Sequence, residues 1–559
     1  MAAAADRLSV LPDAVLHRVL SFAEAKDAAA TSALSRRWRP LWHQTTAVNL
    51  DSRPYRYHDD SPDPKYDAFF SHAHAAFRHR SCRPGSPIRR GYRRSNGDGG
   101  ERGLIMRLTL SLEIGAYRSG RPWKPDPEDD GRATALLADP AVAGLEELRI
   151  SCEEESEYSY HYGPPLSYLP CAATLRVLEL RRCKLDSPPP TTTTTLALPR
   201  LTDLQLHGCF LQEGCLQALV DAAPGLTTLS LLDVLHTPAG GSSAEERRRP
   251  RAYDHDTQGC SRLPLRLRCP ALTAFFLQIN PSESGSKPDA DSGIELDMPS
   301  LRFFRYRGFP VKLSLTSPAP ALERVDMYTR HHGHYLWKLE PTSRMLRSFS
   351  SMRALKLRLD LIEDIVTAAA GGDAEEEGGL PTFPNLKLLE LDAEYQYKES
   401  GTAAAMAWLL GSCPAMADLL RLSLDMQWDY HHRERTKAAC GPFGVSMDRF
   451  QRLASMSAAH RGVVELGEVS ELPAAMTTSS CLGTSLRKVT LRFKAKEVNC
   501  FQVQLARFLA ENAMVLEEMH VDNGSWFWPD HLCHKVPRWR AESFKKRKLM
   551  DTAGFRRPT

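Results

Sequence analysis

Three groups of side chains in this sequence have the chemistry for metal binding, redox reactions or contacts with an anionic partner. The first is the cluster Arg330-His331-His332-Gly333-His334, whose imidazole nitrogens could bind a metal ion. No cysteine or carboxylate accompanies the cluster at the spacing of a zinc site, which favours a solvated loop. The sequence also lacks a Walker-type phosphate loop, a dinucleotide fingerprint and a Gly-x-Ser-x-Gly elbow. We therefore expect no catalytic residue, no metal ligand and no bound cofactor.

The second group is the thirteen cysteines, which are odd in number, scattered and never spaced as Cys-x-x-Cys. A reduced intracellular chain fits this pattern better than a disulfide scaffold does. The third group is the run FKKRKL at residues 544–549, which is either a nuclear-import signal or a charged tail. We accordingly expect the protein in the nucleus, the cytoplasm or both.

The overall composition is that of a globular protein, with 559 residues of which 42% are apolar and 25% charged. The net charge of +4, from 72 basic and 68 acidic residues, gives no global field for nucleic-acid binding. No run of about 18 apolar residues occurs, so we expect no membrane span. The first ten residues, MAAAADRLSV, become charged too early for a secretory signal.

Residues 11–22, LPDAVLHRVLSF, have the apolar spacing of a short amphipathic helix. Pro12 suits the first helical turn, and the carboxylate of Asp13 favours the positive end of the helix dipole. Residues 28–34 and a piece containing Trp38 and Trp42 predict two further short helices. Three short helices bury too little surface to be stable alone, so we expect a partner helix to complete their core. Packing on the rest of this chain is the alternative, whereas a membrane-surface helix needs more basic residues.

Residues 6–50 resemble an F-box, in the version common in plant F-box proteins with leucine-rich repeats. The match lies in DRLSVLPDAVLHRVLSF and TSALSRRWRPLW; Ala23 and Glu24 depart from it, where the family more often has an aliphatic residue and a proline. The resemblance implies docking on a Skp-type adaptor and, through it, on a cullin. It also implies a set of adaptor contacts or their immediate support: Leu11, Pro12, Val15, Leu16, Val19, Leu20, Leu34, Trp38 and Trp42. Of these, the two tryptophans would chiefly lock the helices together.

The body of the chain contains a repeated leucine pattern. Residues 175–185 read LRVLELRRCKL and residues 201–211 read LTDLQLHGCFL, about 26 positions apart, which is a leucine-rich-repeat period. Alternating leucines predict short strands whose leucines point into a core. Cys183 and Cys209 occupy one position of the repeat, and we expect both to be buried and purely structural. Weaker copies begin at Leu145, Leu226, Leu272, Leu301, Leu322, Met352, Leu386 and Leu486.

These patterns predict an α/β fold, an irregular leucine-rich-repeat solenoid with a small N-terminal all-α three-helix F-box. We expect the F-box at residues 6–50, a partly disordered linker at 51–103 and the solenoid at 104–480, interrupted by loops such as 188–195, 240–256 and 368–379. Residues 486–523 predict a strand, a helix and a strand, and they resemble the FBD-type region of plant F-box proteins. The resemblance implies a terminal cap at 481–530, followed by a basic tail at 531–559.

Together the resemblances imply a substrate-recognition subunit of an SCF-type cullin–RING ubiquitin ligase, a non-catalytic adaptor whose repeats bind a protein target for ubiquitination. Two alternatives remain. One is a small-molecule (hormone) receptor of the F-box repeat type, in which Arg302, Arg305 and Arg307 could form a basic floor. The other is a protein-interaction scaffold without a ligase.

Overall fold

The structure is a computed structural model of the 559-residue chain. It describes residues 10–55, 66–81, 105–113, 127–153, 162–185, 196–237, 265–280, 293–329, 342–365, 382–395, 401–416, 418–426, 480–493, 500–522 and 532–553. The chain divides into a first unit, residues 1–263 with 267–272, and a second unit, residues 264–266 with 273–559. The histidine cluster and the three internal loops predicted within the repeats lie outside the described residues.

The first unit begins with helices and continues with parallel strands. Its helices are α1 (Asp13–Leu20), α2 (Ala25–Ala30), α3 (Trp38–Gln44), α4 (Tyr66–Ser81), α5 (Pro127–Leu137) and α6 (Cys215–Asp221). Its strands are β1 (Ala47–Asp51), β2 (Arg107–Glu113), β3 (Glu147–Glu153), β4 (Val177–Arg181), β5 (Lys184–Leu185), β6 (Asp203–His207), β7 (Phe210–Gln212), β8 (Thr228–Leu232) and β9 (Leu235–Thr237). A further strand, β10 (Leu265–Arg268), follows in the sequence.

The second unit also contains both helices and strands. Its strands are β11 (Ala274–Ile279), β12 (Ile294–Asp297), β13 (Phe303–Gly308), β14 (Leu313–Leu315), β15 (Arg324–Thr329), β16 (Ala354–Leu361), β17 (Leu388–Tyr395), β18 (Leu419–Met426), β19 (Lys488–Phe493) and β20 (Glu518–Asp522). Its helices are α7 (Thr342–Arg347), α8 (Gly401–Gly411), α9 (Ser480–Thr484), α10 (Cys500–Asn512) and α11 (Leu532–Ala553).

The long strands of each unit are parallel and in register, so equivalent apolar residues form continuous buried rows. In the first unit one row is Val48, Leu108, Leu148, Leu178, Leu204 and Leu229. In the second unit one row is Leu277, Tyr306, Met327, Leu357, Leu391, Leu422, Leu491 and Val521. Each row belongs to the inward side of its strands, and the alternate residues face outward because strand side chains alternate.

The two cysteines of the repeat are buried, as their position predicted. Cys183 and Cys209 are fully buried, and the Cys209 thiol donates to the carbonyl oxygen of Leu180 at 3.3 Å. Burial raises the pKa of the Cys209 thiol to about 12. The nine cysteines whose side chains the structure describes form no disulfide, and no group of three metal-binding side chains occurs among the described residues. In the described part of the chain, none of the helices has the length and apolar character to span a membrane.

Several elements differ from the sequence expectation. Strands β1 and β18 are among those that the sequence patterns did not predict, and β1 begins inside the stretch assigned to the F-box and ends one residue beyond it. The segment expected to be a linker contains α4, whose Phe69 and Phe77 are buried. The expected basic tail is helix α11, which buries Leu532, Val536 and Trp539. In both helices the apolar residues are spaced three or four apart among polar ones, so each helix buries one side.

Candidate protein-docking site

The three N-terminal helices, α1 to α3, form a small module that we call the F-box module. Its core consists of six buried side chains: Leu16, Leu20, Ala28, Trp38, Leu41 and Trp42. Helix α1 begins after Pro12, whose carbonyl accepts from the amides of Val15 and Leu16 at 3.0 and 3.2 Å. The helix ends at Leu20, and the hydroxyl of the next residue, Ser21, donates to the carbonyl of Arg18 at 2.7 Å. These six side chains are therefore buried within this chain, in which α2 and α3 also contact α4.

One arginine joins the two halves of the module. The guanidinium of Arg37 donates to the Asp13 carboxylate through Nε at 2.8 Å and to the carbonyl of Leu11 through Nη2 at 2.5 Å. These bonds span 24 and 26 positions of sequence and fix the start of α1 against the chain just before α3. The Leu-Pro-Asp opening and the second arginine of the Ser-Arg-Arg-Trp motif are thus partners, which the sequence spacing did not reveal.

The turn after α1 is held from outside the module. The amide of Asn49, on β1, donates to the carbonyls of Ser21 and Ala23 at 2.9 Å each, and Arg107 of β2 donates to Ser21 at 2.7 Å. Burial, together with the nearby Asp51 and Asp27 carboxylates, raises the pKa of Glu24 in this turn. The turn that departs from the F-box pattern is therefore stabilised by the first two strands.

The module leaves a second apolar surface exposed. Among the described residues, ten large apolar side chains are exposed, and five of them lie between positions 10 and 34: Val10, Val15, Val19, Phe22 and Leu34. Val15, Val19 and Phe22 follow each other at steps of four and three, which places them on one side of α1 and its end. A concentration of exposed apolar side chains is typical of a protein interaction site.

The residues expected to contact an adaptor divide into two sets. Leu16, Leu20, Trp38 and Trp42 are buried in the module and Leu11 packs against its core, so these five can act only as support in this conformation. Val15, Val19 and Leu34 are 42%, 50% and 65% exposed, and Pro12 is exposed beside them in sequence. Val10 and Phe22 are also exposed and were not predicted as contacts. Val10 precedes the helical pattern, and the spacing of Phe22 does not tell whether its ring faces the core.

The three arginines considered as a floor for a small molecule have different surroundings. Arg302 pairs with Glu323 at 2.5 Å, and Arg305 pairs with Asp326 at 3.1 Å. The guanidinium of Arg307 lies over a tyrosine ring of the next strand, at 5.2 Å from its centroid. Two of the three cations are therefore already matched by carboxylates.

Comparison with known proteins identifies both regions that the sequence patterns singled out. A model of the F-box domain matches residues 8–45. A model described as the LRR repeats of FBD-associated F-box protein At5g56370 matches residues 133–240.

Curated relatives from Arabidopsis thaliana match the chain in part. The putative FBD-associated F-box protein At3g12840 is 58% identical over 48 residues, 9% of this chain and 26% of that protein. The FBD-associated F-box protein At4g10400 is 26% identical over 229 residues, 40% of this chain and 44% of that protein. The F-box protein At4g09920 is 26% identical over 232 residues, 41% of this chain and 58% of that protein. All three matches cover less than two thirds of the relative. Together with the two models they show that the chain carries an F-box domain and a leucine-rich-repeat region similar to those of plant FBD-associated F-box proteins.

Proposed function

We propose that this chain is the substrate-recognition subunit of an SCF-type cullin–RING ubiquitin ligase. Its F-box module docks on a Skp-type adaptor, which links it to a cullin, and its repeats hold a protein target. The observation that carries the proposal is the exposure of the apolar side chains of Val15, Val19 and Leu34 on a module whose core is formed by other residues. These side chains do not belong to the core of the module, so they are available for burial against a partner.

The magnitude of that burial is sufficient for a specific contact. Fully burying a valine or leucine side chain is worth about 1.5–3 kcal/mol, and these three are roughly half exposed, so each contributes about 1 kcal/mol on docking. The Arg37 bonds and the buried tryptophans fix α1 before the partner arrives. A rigid surface loses less conformational entropy on binding than a flexible one.

We further propose that the repeats at 104–480 form one solenoid and that the FBD-like segment at 481–530 caps it. In-register parallel strands with continuous apolar rows within each unit support this proposal, since every repeat then covers the core of its neighbour. Strands β19 and β20 extend the register of β18, and α11 buries Leu532 and Trp539 behind them.

In this proposal the chain makes and breaks no bond itself. It would accelerate ubiquitin transfer by holding the target near the charged carrier, which raises the effective concentration of the two reactants. We propose that this takes place in the nucleus, the cytoplasm or both, and the basic run at 544–549, on α11, is a candidate import signal.

The test is co-purification of the full chain with a Skp-type adaptor. The double variant Val15→Asp, Val19→Asp should lose the adaptor while its unfolding temperature stays that of the wild type, because both side chains are exposed in the free protein. Val515→Asp is the matched control, since Val515 is 38% exposed and lies far along the sequence from the module. Retention of the adaptor by the double variant would refute the docking surface.

A further inference from the structure

The outward side of three neighbouring strands of the second unit carries an unusual combination of rings and guanidinium groups. Strands β11, β13 and β15 pair in parallel, with Phe276 beside Arg305 and Arg307 beside Tyr328 in the register. We call the aromatic–arginine patch the outward side chains Phe276, Phe303, Arg305, Arg307 and Tyr328. All five are exposed or half-buried, whereas the alternate residues of the same strands face the core.

The rings and the guanidinium groups of the patch stack on one another. Arg305 lies over Phe276 and Phe303, with its guanidinium carbon 5.5 and 5.3 Å from the two centroids. Those two rings are themselves 5.3 Å apart. Arg307 lies over Tyr328 at 5.2 Å. Stacking holds these long side chains in place, so a ligand would not have to order them.

The patch has more positive than negative charge. Asp326 is the carboxylate among the outward residues of these three strands, and it is shared by Arg305 at 3.1 Å and Arg324 at 2.7 Å. The Asp326 side chain is 9% exposed, so two exposed guanidinium groups form ion pairs with one nearly buried carboxylate. Within the described residues no carboxylate pairs with Arg307, and its guanidinium stacks on the Tyr328 ring. The three arginines Arg305, Arg307 and Arg324 and the single carboxylate of Asp326 together leave an excess of two positive charges on these strands.

Further along the same side, the charges balance again. Lys356 and Arg358 of β16 face Glu390 and Asp392 of β17, at 3.5 and 3.6 Å. Strand β17 also carries Glu394 outward. On the other side of β17, Arg421 of β18 pairs with Glu390 at 2.7 Å. A continuous polyanion crossing the strands would therefore gain no net attraction beyond β15, because the cations of β16 and β18 already pair with the carboxylates of β17. A peptide can instead place a few carboxylates at the arginines and apolar side chains against the rings.

We propose that the aromatic–arginine patch binds an acidic segment of the protein target, one in which Asp or Glu alternates with aromatic or aliphatic residues. The proposal rests on the proposed function, because it names the class of target that the repeats select. The target's carboxylates pair with Arg307 and with Arg305 or Arg324, where guanidinium groups make paired hydrogen bonds to carboxylate. Its apolar side chains pack on Phe276 and Phe303.

The test measures fluorescence anisotropy of labelled peptides with the full chain, both alone and after mixing with the adaptor. The probes are a peptide of alternating Glu and Phe, the same peptide with Lys for Glu, and an oligothymidine of about twelve nucleotides. The acidic peptide should bind, and binding should weaken as salt rises through about 0.15 M, where charges more than about 8 Å apart are screened. The basic peptide should not bind.

Variants locate the binding on the patch. Arg307→Gln should weaken the acidic peptide about fivefold, and Arg305→Gln with Arg307→Gln should weaken it further. Arg492→Gln is the matched control, because Arg492 is an exposed outward arginine whose guanidinium pairs with the Asp522 carboxylate at 4.0 Å. It lies five strands from β13, roughly 24 Å at about 4.8 Å per strand. Wild-type unfolding temperatures would exclude loss of fold as the cause.

Three results would overturn the proposal: no saturable binding of the acidic peptide, equal binding by the Arg307→Gln variant, or tighter binding of the oligothymidine. Adaptor co-purification, followed on the same preparations, separates this proposal from the previous one. Loss of peptide binding with the adaptor retained refutes the patch and leaves the ligase role standing. Peptide binding by a chain that takes up no adaptor supports the patch and refutes the ligase role.

Discussion

Folding and docking of the F-box module should respond to different substitutions in α1. Leu16 is fully buried in the core of the module, whereas its neighbour Val15 is 42% exposed. We predict that Leu16→Ala destabilises the module and that Val15→Ala weakens adaptor binding without destabilising it. The two variants differ by one position and both remove aliphatic carbons, so each serves as the control of the other.

The expected magnitudes follow from the burial. Truncating a buried leucine to alanine costs about 2–5 kcal/mol, because the site loses both the transferred carbons and their packing contacts. Val15→Ala should change the free energy of unfolding by less than about 0.5 kcal/mol, as exposed substitutions do. On docking it should lose about 1 kcal/mol, which is about fivefold in Kd.

Two assays separate the effects. Hydrogen exchange of the amides in residues 13–44 reports the local unfolding free energy, and titration with the adaptor reports Kd. Leu16→Ala should speed exchange and raise the apparent Kd because fewer molecules are folded, and saturating adaptor should restore protection. Unchanged exchange in Leu16→Ala, or fast exchange in Val15→Ala with an unchanged Kd, would refute the assignment of these two residues.

Three further perturbations test other parts of the molecule. Gly308→Ala would place a Cβ 2.4 Å from the carbonyl oxygen of Ile279, so we expect a loss of more than about 2 kcal/mol in thermal unfolding, and wild-type stability would contradict the close approach. Arg37→Met should remove the bonds to Asp13 and destabilise the F-box module by about 1 kcal/mol, a small value because both side chains are partly exposed to solvent. Hydrogen exchange in α1 that stays slow would argue against this link. Burial raises the pKa of Cys209 from 9.0 to about 12, so the contribution of this thiol to stability is present below pH 9.0 and is lost as the pH rises toward 12. The native thiol should resist iodoacetamide at pH 8 until the chain unfolds.

The repeat strands could be predicted from sequence because their signal is local. In β4 and β6 the alternating leucines at Leu178, Leu180, Leu204 and Leu206 are all fully buried. Strand β1 has only the short alternation AVNLD, which is too brief to distinguish a strand from a loop. It becomes a strand because β2 pairs with it in register. This pairing joins residues far apart in the sequence, so the local pattern does not reveal it.

The candidate docking surface was only partly predictable for a related reason. The apolar residues of α1 form two sets, Leu16 with Leu20 and Val15 with Val19, and each set is spaced by one helical turn. Periodicity assigns both sets to the apolar side of the helix. Only the packing of α3 against α1 decides that the leucines are core and the valines are surface.

The adjacency of these two sets has a consequence for how the module can work. The valines alternate with core leucines on the same two turns, so any partner that covers the valines also restrains the residues that hold the module together. Adaptor binding should therefore stabilise the module as well as recruit the chain, because a ligand that binds only the folded form shifts unfolding by mass action. Substitutions can therefore alter the exposed valines without altering the buried leucines. The free energies of docking and folding remain coupled, because both sets of side chains lie on the same short helix.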